Sequence, residues 1–163
     1  MSTLAPIRAI YLQPAAVTEE LRYRLFAEDR LAEFDALGIP AAQAEMLVTM
    51  QYRGRAMNYA EAYPQAVEYL VCMEDETQAG YLLLERGTES WRIVDIALLA
   101  AYRRQGIGSG VVEQVQSECA DAGVALRLHV LHGNPAAARL YARLGFRAVG
   151  QDAVGVEMIW SRG

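Results

Sequence analysis

The stretch Tyr102-Arg103-Arg104-Gln105-Gly106-Ile107-Gly108-Ser109-Gly110 places two arginines beside three glycines. Upstream, the apolar run Trp91–Leu99 predicts a buried strand. Downstream, the amphipathic pattern Val111–Ala122 predicts a helix. A basic, glycine-rich turn between a strand and a helix N-terminus leaves backbone N–H groups without helical partners, and the helix dipole adds positive potential. That chemistry holds an anion, best a phosphate. Two phosphate loops are excluded. A Walker loop ends in Gly-Lys-Ser/Thr, and this stretch has no lysine. A dinucleotide fingerprint needs a third glycine three residues after the second, where this chain has Val111. What remains is Arg-x-x-Gly-x-Gly, Arg103 to Gly108.

Other reactive groups flank this loop. Asp95 lies among Ile93, Val94 and Ile96. A lone carboxylate in an apolar strand is costly, so it either pairs with Arg92 or Arg127 or serves a substrate as base or anchor. His129 and His132 read as surface or loop histidines, with His129 the reserve base. Tyr52, Tyr59 and Tyr63, with Gln51 and Asn58, either line a pocket or are half-buried tyrosines whose hydroxyls reach water.

These groups need elements to position them. Ile7–Leu12 predicts a short strand ending at Pro14. Thr18 caps a helix with Glu19 and Glu20 in its first turn and Leu21, Leu25, Phe26, Leu31 and Phe34 at helical spacing. Gly38 ends it and Pro40 opens the next, Ala41 to about Ala62, with Leu47, Met50, Gly54 and Met57 on one stripe. Val67–Met73, Gly80–Glu85 and Trp91–Leu98 predict a three-strand meander. A helix over Ile107–Ala122 ends at Gly123. Val124–Val130 alternates, with Val124, Leu126, Leu128 and Val130 on one face and Arg127 and His129 on the other. This strand–helix–strand order predicts a parallel pair joined by a right-handed crossover. Asn134 caps a helix that starts at Pro135, runs to Leu144 and stops at Gly145. Phe146–Gln151 and Val154–Trp160 close the chain as an antiparallel pair.

A chain of 163 residues, 53% hydrophobic and 21% charged, fits one globular domain with a sizeable core. No run approaches the roughly 18 apolar residues of a membrane span, and no secretory signal is visible. The net charge of −5 argues mildly against nucleic acid as a partner. Cys72 and Cys119 lack metal-ligand spacing and read as reduced structural thiols, which places the protein in the cytoplasm. No metal is expected.

The Arg103–Gly108 loop resembles the pyrophosphate loop of the GNAT superfamily of N-acetyltransferases. The stretch Leu126-x-Leu128-x-Val130-x-x-x-Asn134-x-x-Ala137-x-x-x-Tyr141-x-x-x-Gly145-Phe146 is similar to the second signature of that superfamily. The order β-α-α-β-β-β-α-β-α-β-β matches its fold along nearly the whole chain. The match is best over Trp91–Phe146; residues 1–64 match only in element order, and no motif there specifies an acceptor.

The resemblance implies one α/β GNAT domain over residues 1–163, with a mixed, mostly antiparallel sheet and a splayed parallel pair. It implies acetyl-CoA as cosubstrate. Backbone groups at Ala97, Leu98 and Leu99 would hold the pantetheine arm and thioester. Arg103, Arg104, Gln105, Gly106, Ile107, Gly108 and Ser109 would hold the diphosphate, and Asn134 and Ala137 would help order the cosubstrate. An amine would attack the acetyl carbonyl directly, with Tyr141 as general acid toward the departing thiolate and Asp95 as base. Phenol and thiol pKa values lie within about two units of each other, which makes that proton transfer reasonable. The residues alone also explain Tyr141 as part of a buried stripe with Ala137, Leu140 and Leu144, and Asn134 as a helix cap. A small-molecule amine is the first choice of acceptor. A protein N-terminus or lysine is second, and a non-catalytic acetyl-CoA-binding module or a longer acyl donor are further readings. No membrane partner is expected, and a homodimer is an expectation from the family.

Overall fold

Among the described residues, seven strands form one sheet in the order β1-β2-β3-β4-β5-β7-β6. They are β1 (Ile10–Pro14), β2 (Val67–Met73), β3 (Gln78–Arg86), β4 (Ser90–Leu98), β5 (Ala125–Leu131), β6 (Arg147–Gln151) and β7 (Gly155–Trp160). Four α-helices among the described residues join them: α1 (Glu19–Ala36), α2 (Ala41–Ala62), α3 (Ile107–Ala122) and α4 (Pro135–Arg143). The structure, a computed structural model, describes residues 9–14 and 17–163. The expected element order holds throughout. The first strand lies a few residues later than predicted, and residues 7 and 8 of that prediction fall outside the described residues.

Local chemistry sets the helix ends. The Thr18 hydroxyl accepts from the Leu21 amide at 3.2 Å, and Glu19 and Glu20 occupy the positive end of α1. Gly106 and Gly123 bracket α3 in left-handed conformations, φ +78° and +70°, which glycine adopts without Cβ strain. Asn134 Oδ1 accepts from the Ala137 amide at 3.2 Å, and Pro135 opens α4.

The sheet separates two cores. On one face α3 places Ile107, Val111, Val112, Val115 and Cys119 against Leu82, Leu84, Leu126, Leu128 and Val130, and α4 closes the far end. On the other, α1 sets Leu21 and Leu25 against Leu70, Cys72, Tyr81 and Leu83. α2 packs on α1 through Val48 and Tyr52, which meet Phe26 and Ala27.

That packing corrects the expected face of α2. Met50 and Met57 are 66% and 73% exposed, so the stripe of Leu47, Met50, Gly54 and Met57 is not the buried one. Ala44, Val48 and Tyr52 are the buried residues of this helix.

β4 and β5 pair in parallel only at Ser90↔Ala125, Trp91↔Leu126 and Arg92↔Arg127; every other strand pair is antiparallel. Just beyond, the register with β3 passes from Leu84↔Ile93 to Leu83↔Asp95, leaving Val94 as an extra residue. Such a bulge bends and twists its strand. β4 then leaves β5, and its far edge carries backbone groups with no strand to pair them.

The same strand is pressed from its other side by Gly80, where a Cβ would lie 2.0 Å from the Ala97 carbonyl oxygen. Gly80→Ala is therefore expected to cost about 3 kcal/mol through forced strand separation, read as a lower midpoint in urea unfolding. An unchanged midpoint would show that β3 and β4 can part there at no cost.

Candidate active site

The separation of β4 from β5 opens a cleft of about 900 Å³. Val94–Leu98 line one wall, His129 and Leu131 another, Asn134, Leu140 and Tyr141 a third, and Arg103, Gly108 and Val112 the end toward α3. Leu25, Asp29 and Arg30 of α1, Arg55, Asn58 and Tyr59 of α2, and Tyr63 just beyond α2 line the cleft as well. The cleft thus gathers Asp95, Ala97, Leu98, Arg103, Gly108, Asn134 and Tyr141 of the residues singled out in the sequence. Ala137 joins them where the strands part. Leu99 is buried, and its amide donates to the Ala79 carbonyl at 2.9 Å.

At the α3 end, a single 3-10 turn, Ala100–Tyr102, leads into the glycine loop. The helix begins at Ile107, so the amides of Ile107, Gly108 and Ser109 have no intrahelical acceptor. Arg104 is exposed and adopts φ +60°. A non-glycine residue pays about 1–2 kcal/mol for that conformation, a strain that gathers at functional turns. Arg103 behaves differently from Arg104. Its Nε donates to the Leu98 carbonyl at 3.0 Å and its Nη1 meets the Asp29 carboxylate at 2.7 Å. It braces the loop against α1, and Arg104 is the arginine left for an anion.

Asp95 does not pair with Arg92 or Arg127, as its neighbours in the sequence suggested. Arg92 pairs with Glu157 at 2.5 Å. The partner of Asp95 is Arg55 of α2, 40 residues away, and Tyr81 of β3 donates to it as well. Both donors take Oδ2. Oδ1 accepts no hydrogen bond among the described residues, and the side chain keeps 14% of its surface open. One carboxylate oxygen is thus anchored and the other faces the cleft. Arg55 also bonds the Tyr59 hydroxyl at 3.0 Å, which orders that tyrosine in the wall. Burial raises the Tyr81 phenol far above its usual range, so it stays a donor to Asp95.

Tyr141 belongs to the core and to the cleft at once. Its ring packs edge-on against Phe146 at 5.6 Å within the α3–α4 core, while the residue lines the cleft. Its hydroxyl has no hydrogen-bond partner among the described residues. Burial raises its pKa, which keeps the proton on the phenol at neutral pH. Asn134 caps α4 and lines the same wall.

Across from Asp95, His129 Nε2 lies 3.4 Å from Asp152 Oδ2. The Gly155 and Val154 amides bond Asp152 Oδ1 at 2.8 Å each and lower its pKa, and His129 adds to the effect. His129 is therefore oriented by a fixed negative charge beside the cleft. Among the tyrosines, Tyr59 and Tyr63 line the cleft with Asn58. Tyr52 sits instead in the α1–α2 core, edge-on to Tyr23 at 5.4 Å, and Gln51 is exposed away from it. Arg30 and Arg55 are cleft residues that sequence reasoning missed. Arg55 meets its partner Asp95 only across 40 residues of chain, and Arg30 faces strands far along the sequence.

Among the described residues no group of histidine, cysteine and acidic side chains is arranged to hold a metal ion, and no helix is long and apolar enough to cross a membrane.

Solved structures share this architecture. The PaiA N-acetyltransferase of Thermoplasma acidophilum, solved in complex with coenzyme A, superposes with a TM-score of 0.63 at 16% identity over 93% of this chain and 98% of its own. An acetyltransferase of Thermus thermophilus gives 0.64 at 22% identity over 94% and 97%. The ribosomal-protein-S18-alanine N-acetyltransferase of Escherichia coli gives 0.58 at 21% identity over 93% and 91%. At these identities the likeness is one of fold. No protein of curated function matches the sequence. The acetyltransferase (GNAT) family is matched over residues 28–146, a span that takes in both signatures and all of the cleft's lining but Leu25, and the chain belongs to that family.

Proposed function

We propose that the protein moves the acetyl group of acetyl-CoA to the primary amine of a small molecule by direct attack. The observation that carries this reading is the cleft in which Tyr141, a phenol without a hydrogen-bond partner among the described residues, and Asp95, a carboxylate with one open oxygen, share the space left by the splayed strands. Acetyl-CoA supplies a thioester carbonyl and a thiolate leaving group. The amides of Ile107, Gly108 and Ser109, with Arg104, suit its diphosphate. The unpaired edge of β4 at Ala97 and Leu98 suits the amide groups of its pantetheine arm.

Tyr141 then donates its proton to the thiolate as it leaves. Asp95 Oδ1 receives an ammonium proton, directly or through a water, or holds the amine while His129 receives it. A module that only binds acetyl-CoA has no use for a phenol held free of partners at this place. The buried free thiols of Cys72 and Cys119 support a reducing compartment, the cytoplasm.

Calorimetric titration tests the reading. Acetyl-CoA is expected to bind the purified protein with a preference over a longer acyl-CoA, and an amine panel is expected to release CoA thiol. No binding of acetyl-CoA, CoA or the longer acyl-CoA would reduce the glycine loop to a turn and remove the proposal.

A further inference from the structure

The acceptor end of the cleft carries more cationic charge than it neutralises. The Arg30 and Arg55 guanidinium carbons both sit over the Phe26 ring, 3.7 Å and 5.1 Å from its centroid. Arg55 is matched by Asp95. Arg30 donates once, to the Phe26 carbonyl at 2.8 Å, and among the described residues no carboxylate closes an ion pair on it. Glu33 and Asp29 attract it only from a distance, and Asp29 is engaged by Arg103. Burial, and then the nearby charge of Arg55, lower the Arg30 pKa, as expected of a cation short of a counterion. A guanidinium has five N–H donors in a fixed fork, so Arg30, held by one bond and stacked on a ring, presents the remainder to the cleft.

We infer that Arg30 is the specificity-determining residue for an acceptor that carries a carboxylate beside its amine, with the carboxylate on Arg30 and the amine at Asp95 Oδ1. This rests on the acetyltransferase reading above and names the substrate class that reading leaves open. The charge count supports it. Arg30, Arg55 and Asp95 sum to one net positive charge. An amino acid in its reactive form, a free amine with an ionised carboxylate, carries one negative charge and neutralises the site. A simple amine in the same reactive form is neutral and leaves that charge uncompensated, and as an ammonium it adds a further cation beside Arg30 and Arg55, which like-charge repulsion disfavours. A phosphate would bring more charge than one unmatched guanidinium balances. The planar fork of arginine matches a carboxylate with two parallel bonds.

The test uses matched pairs of acceptors, L-α-amino acids and ω-amino acids against their own carboxamides, with acetyl-CoA and thiol release as the readout. Each pair is run on the wild-type chain, Arg30→Gln and Arg30→Lys. Calorimetry of acetyl-CoA on each variant separates the donor site from the acceptor site. Wild type is expected to prefer the carboxylate member of its best pair by about tenfold or more in kcat/KM. In Arg30→Gln that preference should disappear through a rise in KM for the carboxylate, with the acetyl-CoA affinity unchanged. Arg30→Lys should keep part of it. Carboxamides used as well as carboxylates by the wild type would overturn the inference, as would a preference that survives in Arg30→Gln, or no amino acid accepted by a protein that binds acetyl-CoA. Absence of acetyl-CoA binding in the wild type would instead remove the acetyltransferase reading, and this inference with it.

Discussion

Tyr141→Phe is expected to lower turnover by about 10²–10⁴-fold, the range a positioned proton donor contributes. The substitution removes one oxygen. The ring keeps its edge-on contact with Phe146 and its place against the α3–α4 core. No hydrogen bond is broken among the described residues, since the hydroxyl makes none. Thermal stability and acetyl-CoA affinity should therefore stay near wild type while kcat and kcat/KM fall together, the pattern of an interaction made only in the transition state. Burial raises the phenol's pKa, so the acid form is the one present at neutral pH, and its titration removes activity only on the alkaline side of the ordinary tyrosine value near 10. Thiol release with the best amine of the panel, alongside unfolding curves, checks all of this. A loss of stability in step with a small loss of rate would return Tyr141 to a packing role.

Gly108→Val is expected to weaken acetyl-CoA binding by about a hundredfold or more, close to 3 kcal/mol, without unfolding the protein. A Cβ at 108 meets the Leu98 Cδ1 at 3.7 Å, an ordinary contact, and the position carries no positive φ. Valine is also a better helix residue than glycine by a few tenths of a kcal/mol. The two added methyl groups instead stand on the first turn of α3, beside the amides that an anion must reach. Gly106 makes the useful contrast, because its φ of +78° strains any side chain whether or not a ligand is present. Calorimetry on Gly108→Val decides the point, and an unaltered affinity would reject the diphosphate assignment.

What was legible before the structure is what local chemistry encodes. The bounds of α3 follow from two glycines and an amphipathic run, and α4 from the pair Asn134-Pro135; both stand where the sequence put them. The glycine loop and Tyr141 stood out because signatures of fixed spacing carry them. Asp95 was visible as an anomaly, a carboxylate in an apolar strand, but its partner was not, because Arg55 reaches it from 40 residues away. The buried face of α2 was misread for a related reason. Met46, Met50 and Met57 line one side of that helix and Ala44, Val48 and Tyr52 another, so hydrophobic spacing alone does not rank them. The choice is made by α1, whose Phe26 and Ala27 accept the second set. Arg30 was hidden by its setting, since one of three arginines on an amphipathic helix reads as a solvated charge until a cleft is seen beside it.

The short parallel seam has a mechanical meaning. Only three residue pairs, Ser90↔Ala125, Trp91↔Leu126 and Arg92↔Arg127, join the half-sheet β1–β4 to the half-sheet β5–β7–β6. Beyond them the halves face each other across the cleft, Val94–Ile96 on one side and Leu128–Leu131 on the other. Any molecule seated there touches both and acts as a strap across the least-bonded joint of the sheet. By mass action it adds RT ln(1 + [L]/Kd) to the stability of the whole chain, about 2.7 kcal/mol at a hundredfold excess over Kd. The gap that makes room for chemistry is thus also the place where the lifetime of the folded protein depends on what fills it.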